Sequence, residues 1–372
     1  MNVPVPPPDA LGIPSPAFIF QFLMLLTYTL HVVFMNFVLG GFLIITINEW
    51  IFGKNPAAAK ADSLLLKMMP VALSLAITMG VAPLLFVQTL YGNFFYSANV
   101  IMGWHWMSIL ALVMIAFYLI YIAIAKRPEG ATSSLWTSLI AIVNTILFFM
   151  VAFLFTNNAV LTENPAYWAN IYSGAKSVAA PDSSLWQRYL HNISGALAVA
   201  GMWCAAVARY RRRYDPADAE TTRWLHRSGL LWAIGGTLAA MATGFLYLVF
   251  LGGDRIKAFM SIDALFIGWA ISVVVTFVLL VFLIMALMQP EKSIFLWSGV
   301  GLMSAALFGM AMGREHLRMV SLKPYFTMDQ LTLNPSYSSL AMFLITFVLG
   351  LLVLGYLIRL VYALPESTED DT

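Results

Sequence analysis

Four of the five histidines in this chain stand in apolar runs, where an ionisable ring is costly and usually functional: His31 in TYTLHVVFMNF, His105 in NVIMGWHWMSIL, His191 in RYLHNISG and His316 in GMAMGREHLRM. The fifth, His226 in TRWLHRSG, sits among arginines and reads as an interfacial cation. A neutral imidazole on an apolar helix either hydrogen-bonds a neighbouring helix or offers a ring nitrogen to a metal. Zinc is disfavoured, because His31 and His105 have no carboxylate or thiolate companions at ligand spacing. The single cysteine, Cys204, excludes an internal disulfide framework, a Cys-ligated iron–sulfur cluster and the C-x-x-C-H attachment of c-type haem. Bound haem b with axial imidazole is the chemistry that fits best. Trp104, Trp106, Phe34, Trp186 and Tyr189 offer aromatic surface to a porphyrin, and Arg188, Arg314, Arg318 and Lys323 offer cations to its propionates. Both sets serve equally well as ordinary residues of a membrane interface.

The elements that must position these residues are membrane helices. Of 372 residues 61% are hydrophobic and 10% charged, where a soluble domain carries roughly 25% charged residues. Crossing ~30 Å of hydrocarbon takes about 20 mostly apolar residues. Nine segments qualify: 17–51, 66–92, 99–125, 134–160, 185–210, 224–251, 262–288, 293–313 and 338–363. The breaks carry proline, glycine and charge (GKNPAAAKADS, KRPEGATSS, RRRYDPADAETTR, GGDRIK, QPEKS), and no internal repeat stands out. The organisation read from this is a proline-rich extended lead-in (1–16) without the basic region of a signal peptide, one transmembrane domain (17–363) and an acidic tail (364–372).

Lysine and arginine set the orientation. With the N-terminus outside, thirteen basic residues fall at cytoplasmic connections, centred on RYRRR, and seven fall outside: Lys176, Arg188, Arg255, Lys257, Arg314, Arg318 and Lys323. The fold class expected is therefore an all-α integral membrane protein of about nine helices, N-terminus outside and C-terminus cytoplasmic. His31, His105, His191 and His316 then share the outer half of the bilayer. His105 is expected about six residues into its helix, roughly 9 Å deep, and His316 just past the end of the eighth. The acids visible near helices (Glu49, Asp254, Asp263) lie at ends or loops, which argues against a proton-relay transporter.

Several short motifs, in order, resemble subunit I of the cytochrome bd quinol oxidases. TYTLHVVFMNFVLGGFLI is similar to the family's first helix, ITMGVAPLLFVQTLYGNFFYS to its glycine-rich second helix, YLHNISGALAVAG to its fifth-helix H-x-x-x-x-G segment, and MAMGREHL to its A-E-x-G-R-x-P-W motif. The resemblance implies that His31 matches the histidine of the oxygen-reactive haem and His191 that of low-spin haem b. The third-helix glutamate is matched by His105, and the A-E-x-G-R glutamate by Ala311. The seventh-helix segment GWAISVVVTF lacks the family's methionine, and the long quinol loop shrinks to GGDRIKAFMSID. A His31–His105 pair would make one haem six-coordinate, with His316 the candidate second ligand for the haem of His191.

The function expected is that of a haem b electron-transfer subunit of a respiratory oxidoreductase in a bacterial or archaeal cytoplasmic membrane. It would carry one to three haems, with two the preferred count. Electrons would pass between a periplasmic c-type cytochrome or redox enzyme and quinone or a second membrane subunit; nucleic acid is not a partner. The alternatives are a terminal oxidase with altered ligands and a haem-free anchor for a periplasmic complex. The candidate site residues are His31, His105, His191, His316, Arg314, Arg188 and Trp104.

Overall fold

The computed structural model describes residues 5–127, 134–174, 177–178, 182–214 and 216–363. Lys176, the first four residues of the lead-in and the acidic tail 364–372 lie outside them. The helices are α1 (Ala17–Phe52), α2 (Pro56–Met102), α3 (Trp104–Ala125), α4 (Leu135–Thr162), α5 (Trp168–Tyr172), α6 (Leu185–Tyr214), α7 (Ala219–Phe250), α8 (Gly253–Phe259), α9 (Ala264–Met288), α10 (Ser293–Leu322) and α11 (Tyr337–Ala363). Among the described residues, eight are long and apolar enough to cross a membrane, and α11 adds a shorter apolar stretch, Tyr337–Val353. The chain is an all-α integral membrane protein of about nine spans.

Local chemistry moves several boundaries away from those expected. The stretch PAAAKADS, read as part of a break, is the start of α2. Pro56 stands at the first helical position, where its missing N–H costs nothing, and the Asn55 side chain accepts from Ala57 and Ala58 N–H at 2.9 and 3.3 Å. At its far end α2 kinks at Tyr91 (φ −134°, ψ 25°) and runs on to Met102. Gly103, at φ +50°, separates it from α3. His105 is therefore the second residue of α3, not the sixth of a longer helix. GGDRIK is not a bare connection but forms α8, and α10 continues to Leu322, so His316 lies inside a helix and not beyond it.

α1 is the centre of the bundle and packs on α2, α4, α6 and α10. Its Phe37, Phe42, Ile44 and Ile45 are buried with Leu65 and Met69 of α2, Ala116 and Ile120 of α3, and Phe148 of α4. Where helices approach most closely the contact residues are small. A Cβ on Gly40 of α1 would strike the backbone of Ala196 in α6, and one on Gly201 of α6 would strike Gly229 and Ala233 of α7. On the histidine-bearing face the lead-in is pinned to the segment after α10: Ile13 N–H donates to Thr332 O, and Asn334 N–H donates to Ile13 O, both at 2.8 Å. α11 touches the bundle through Phe343, which meets Phe86 edge-on at 5.7 Å.

The orientation rests on the arginine-rich ends of α6 and α7. A reporter fused after Thr372 should be active in the cytoplasm, because an even number of crossings separates that end from the face bearing Arg209–Arg213 and Arg223. A periplasmically active fusion would reverse every face assignment made below.

Candidate functional site

His31 and His191 occupy the same kind of setting in two helix pairs. On α1, His31 Nδ1 lies 2.8 Å from Ala76 O of α2. On α6, His191 Nδ1 lies 2.9 Å from Ala240 O of α7. A carbonyl oxygen only accepts, so both rings carry their proton on Nδ1 and leave the Nε2 lone pair free. One helical turn beyond each carbonyl is a glycine against the ring. A Cβ on Gly80 would come within 3.0 Å of His31, and one on Gly244 within 3.1 Å of His191. A repeat not evident in the sequence thus exists in the structure: Leu-His on one helix, Ala-x-x-x-Gly on the next (Leu30–His31 with Ala76 and Gly80; Leu190–His191 with Ala240 and Gly244). Among the described residues no protein group bonds to either Nε2.

His105 has the same polarity with a nearer acceptor, its Nδ1 lying 3.1 Å from Met102 O. Its ring is exposed, and Trp104 beside it is 87% exposed. The Glu49–Arg127 ion pair, N to O 2.5 Å, gives a common origin for depth at the opposite end of the bundle. His31 is about 27 Å along α1 from Glu49, and His105 about 33 Å along the chain from Arg127. Both rings therefore stand towards the end of the bundle away from that ion pair, about one helical turn apart in depth, on helices that both pack against α2 and α4.

His316 differs. It is fully buried, with Nδ1 3.0 Å from the Asp263 carboxylate and Nε2 2.8 Å from Phe259 O. Neither nitrogen is left for a metal. The sequence-based assignment of His316 as a second haem ligand is not carried forward; the residue fastens α10 to α8 and the start of α9. His226 lies on the arginine-rich face, away from the His31 and His105 rings.

The cations also separate. Arg188 forms a bidentate pair with Glu163 at 2.7 and 2.9 Å, so its charge is already balanced. Burial pushes the Glu163 carboxyl up, and the adjoining Arg188 guanidinium more than reverses this, leaving it below the usual carboxylate range. Arg318 donates to Glu315 at 2.7 Å; Glu315 also accepts from Tyr91 at the α2 kink and from Gln21 at 3.2 Å. Arg314 makes no ion pair among the described residues. It lies 4.4 Å over the Tyr28 ring, which is 6.4 Å from the His31 ring. Arg314 alone of these three is available to an anionic group beside His31. Outside the helices, Asp182 pairs with Arg255 of α8 at 2.6 Å. Burial alone would raise that carboxyl, but the Ser184 N–H and Arg255 hold it below the ordinary aspartate range.

Sequence reasoning missed the carboxylates. Glu163, Glu315 and Asp62 are buried, and their signal would have been the count of arginines needing partners inside an apolar bundle.

Comparison with solved structures gives "The structure of bd oxidase from Geobacillus thermodenitrificans" at a TM-score of 0.72 and 14% identity, covering 95% of this chain and 99% of that one. The fold is shared over essentially the whole length. Residues 270–292, most of α9, match the model of the F subunit of K+-transporting ATPase, a match confined to one apolar helix. No curated protein matches the sequence.

Proposed function

We propose that the chain is a haem b electron-transfer subunit of a membrane respiratory oxidoreductase. One observation carries this reading: two interior histidines and a third near the end of the bundle each give Nδ1–H to a backbone carbonyl and keep Nε2 free. Such a bond fixes the ring tautomer and orientation and raises the basicity of the other nitrogen, which is what an axial ligand needs. In both pairs a glycine on the neighbouring helix makes room for the ring against its carbonyl. The donor set fits haem, since imidazole nitrogens without thiolates or clustered carboxylates suit an axial site.

His31 and His191 would each hold one haem, giving two. His105, borne on a helix that shares the packing partners of α1, would be the second ligand on the first. Arg314, which has no acid of its own, would bind a propionate beside Tyr28. When bound, haem supplies reversible one-electron transfer. The protein's part is to present the imidazoles, to keep water from the apolar interior, and to place the group near the outer face. There it could exchange electrons with a periplasmic c-type cytochrome or redox enzyme, and across the bundle with a second membrane subunit or quinone. The seven-residue helix α8, clamped by Asp182–Arg255 and by His316, stands where a long quinol-binding loop would have to emerge.

A dithionite-reduced spectrum of the purified chain, before and after carbon monoxide, tests the proposal. Sharp haem b bands unchanged by carbon monoxide are expected. Bands that shift with carbon monoxide would favour an oxygen-reducing site, and the lack of a Soret band would favour a haem-free anchor.

A further inference from the structure

At the arginine-rich end of the bundle a second polar cluster is wholly enclosed. Arg127, just past α3, lies against Glu49 of α1, with side chains 2% and 1% exposed; its Nη2 also donates to Ala59 O at 3.0 Å. Asp62 of α2 is 1% exposed and accepts from Asn48 Nδ2 at 2.9 Å. Among the described residues Glu49 Oε2, Asp62 Oδ2 and Arg127 Nε make no hydrogen bond of good geometry, although the Ser138 side chain lies beside Glu49. The charges do not balance. A guanidinium is always positive, so two ionised carboxylates would leave one net negative charge in an apolar setting. Burying an uncompensated ion costs several kcal/mol.

Among the described residues no neighbouring charge makes up the difference. α4 contributes only neutral residues, among them Thr137 and Ser138. On α2, Lys60 turns to solvent and lies 3.9 Å from Asp218. Lys67 and Lys126 are exposed, and α6 presents Cys204, whose thiol is buried. Arg209 and Arg212 of α6 engage Pro290 and Glu291, while His226 of α7 lies beside the backbone of Ala205 and Ala286. A cavity of about 10 Å³ lies against Glu49, bounded by Thr137, Phe42, Ile45 and Leu66. That is about the least space one water needs, and Glu49 and Thr137 are its lining residues with polar side chains.

We propose that Glu49, Asp62 and Arg127 form a proton-binding site, in which Asp62 carries one proton at neutral pH and a water occupies the cavity beside Glu49. Arg127 keeps Glu49 ionised, and the added proton brings the cluster to neutrality. The site lies at the arginine-rich end of the bundle. Above it Phe37, Phe42, Met69 and Phe148 pack the bundle, with buried Asn144 and Thr145 of α4 among the neighbouring residues. It is a buried proton store, and it holds together α1, α2 and the end of α3. The proposal does not depend on haem.

Infrared spectroscopy of the full chain in detergent or lipid reads the proton directly, through the carbonyl stretch of a protonated carboxyl that shifts on exchange into heavy water. The expected result is such a band at neutral pH, moved by isotope-labelled aspartate in the unmutated protein and lost in Asp62→Asn. It should also be lost in Glu49→Gln, where Asp62 is left as the only acid facing Arg127 and ionises. Asp62→Asn, which replaces one neutral group with another, should keep the thermal midpoint of the parent. A parent spectrum without a protonated aspartate, or a band that survives both substitutions, overturns the proposal. The labelled parent decides the question even if either variant fails to fold.

Discussion

Replacing His31 or His191 with glycine is expected to remove one haem from the purified protein and leave the other, read as haem per chain and as loss of one component of the reduced spectrum. Each ring offers the same free nitrogen, but they stand on different helix pairs, α1 with α2 and α6 with α7, so the two losses should be independent. Imidazole added during assembly should restore each lost component, because a glycine leaves the ring's space open. A milder version comes from Gly80→Val and Gly244→Val. Their added atoms press on the ring and not on the iron, so they should weaken haem retention by about 10–100-fold, the range seen when groups that orient a ligand are altered. If either glycine variant at 31 or 191 keeps its full haem content and spectrum, that histidine is a helix-joining residue and nothing more.

The second large effect is expected at His105. Its alanine variant should turn the haem of His31 from six- to five-coordinate, so that a low-spin spectrum insensitive to carbon monoxide becomes high-spin and sensitive. His105 stands towards the same end of the bundle as His31, keeps Nε2 free, and is exposed. His316→Ala is the contrast. It strips partners from buried Phe259 O and from Asp263, so it should cost about 1–3 kcal/mol of stability while leaving the haem spectrum as it was. An unchanged low-spin spectrum in the His105 variant, with haem fully retained, would make GWHW an interfacial aromatic cluster and release His105 from the site.

Much of this was legible in the sequence. A chain with 10% charged residues and nine apolar runs has little choice but to cross a membrane, since only helices satisfy their own backbone there. The basic residues around Arg209–Arg213 indicated which ends share a face. The interior histidines identified themselves by cost, as did the lack of thiolates that narrowed the chemistry. These are properties of composition and of residues near one another in the chain, and they need no knowledge of what packs where.

What only the tertiary structure decided was which of those side chains are already occupied. His191 and His316 look alike as letters in apolar runs. The fold gives one a single carbonyl partner and the other two acceptors, from α8 and from the turn into α9, that lie far away in sequence. Arg188 and Arg314 are equal cations until Glu163 arrives from the end of α4 to neutralise the first. Asp62 was indistinguishable from a loop acid until Asn55 and Pro56 started α2 ahead of it and turned it beneath α1. In each case the deciding quantity is the desolvation of a polar group together with the partner found for it. That balance is set by contacts between helices, so periodicity along any one of them carries no trace of it.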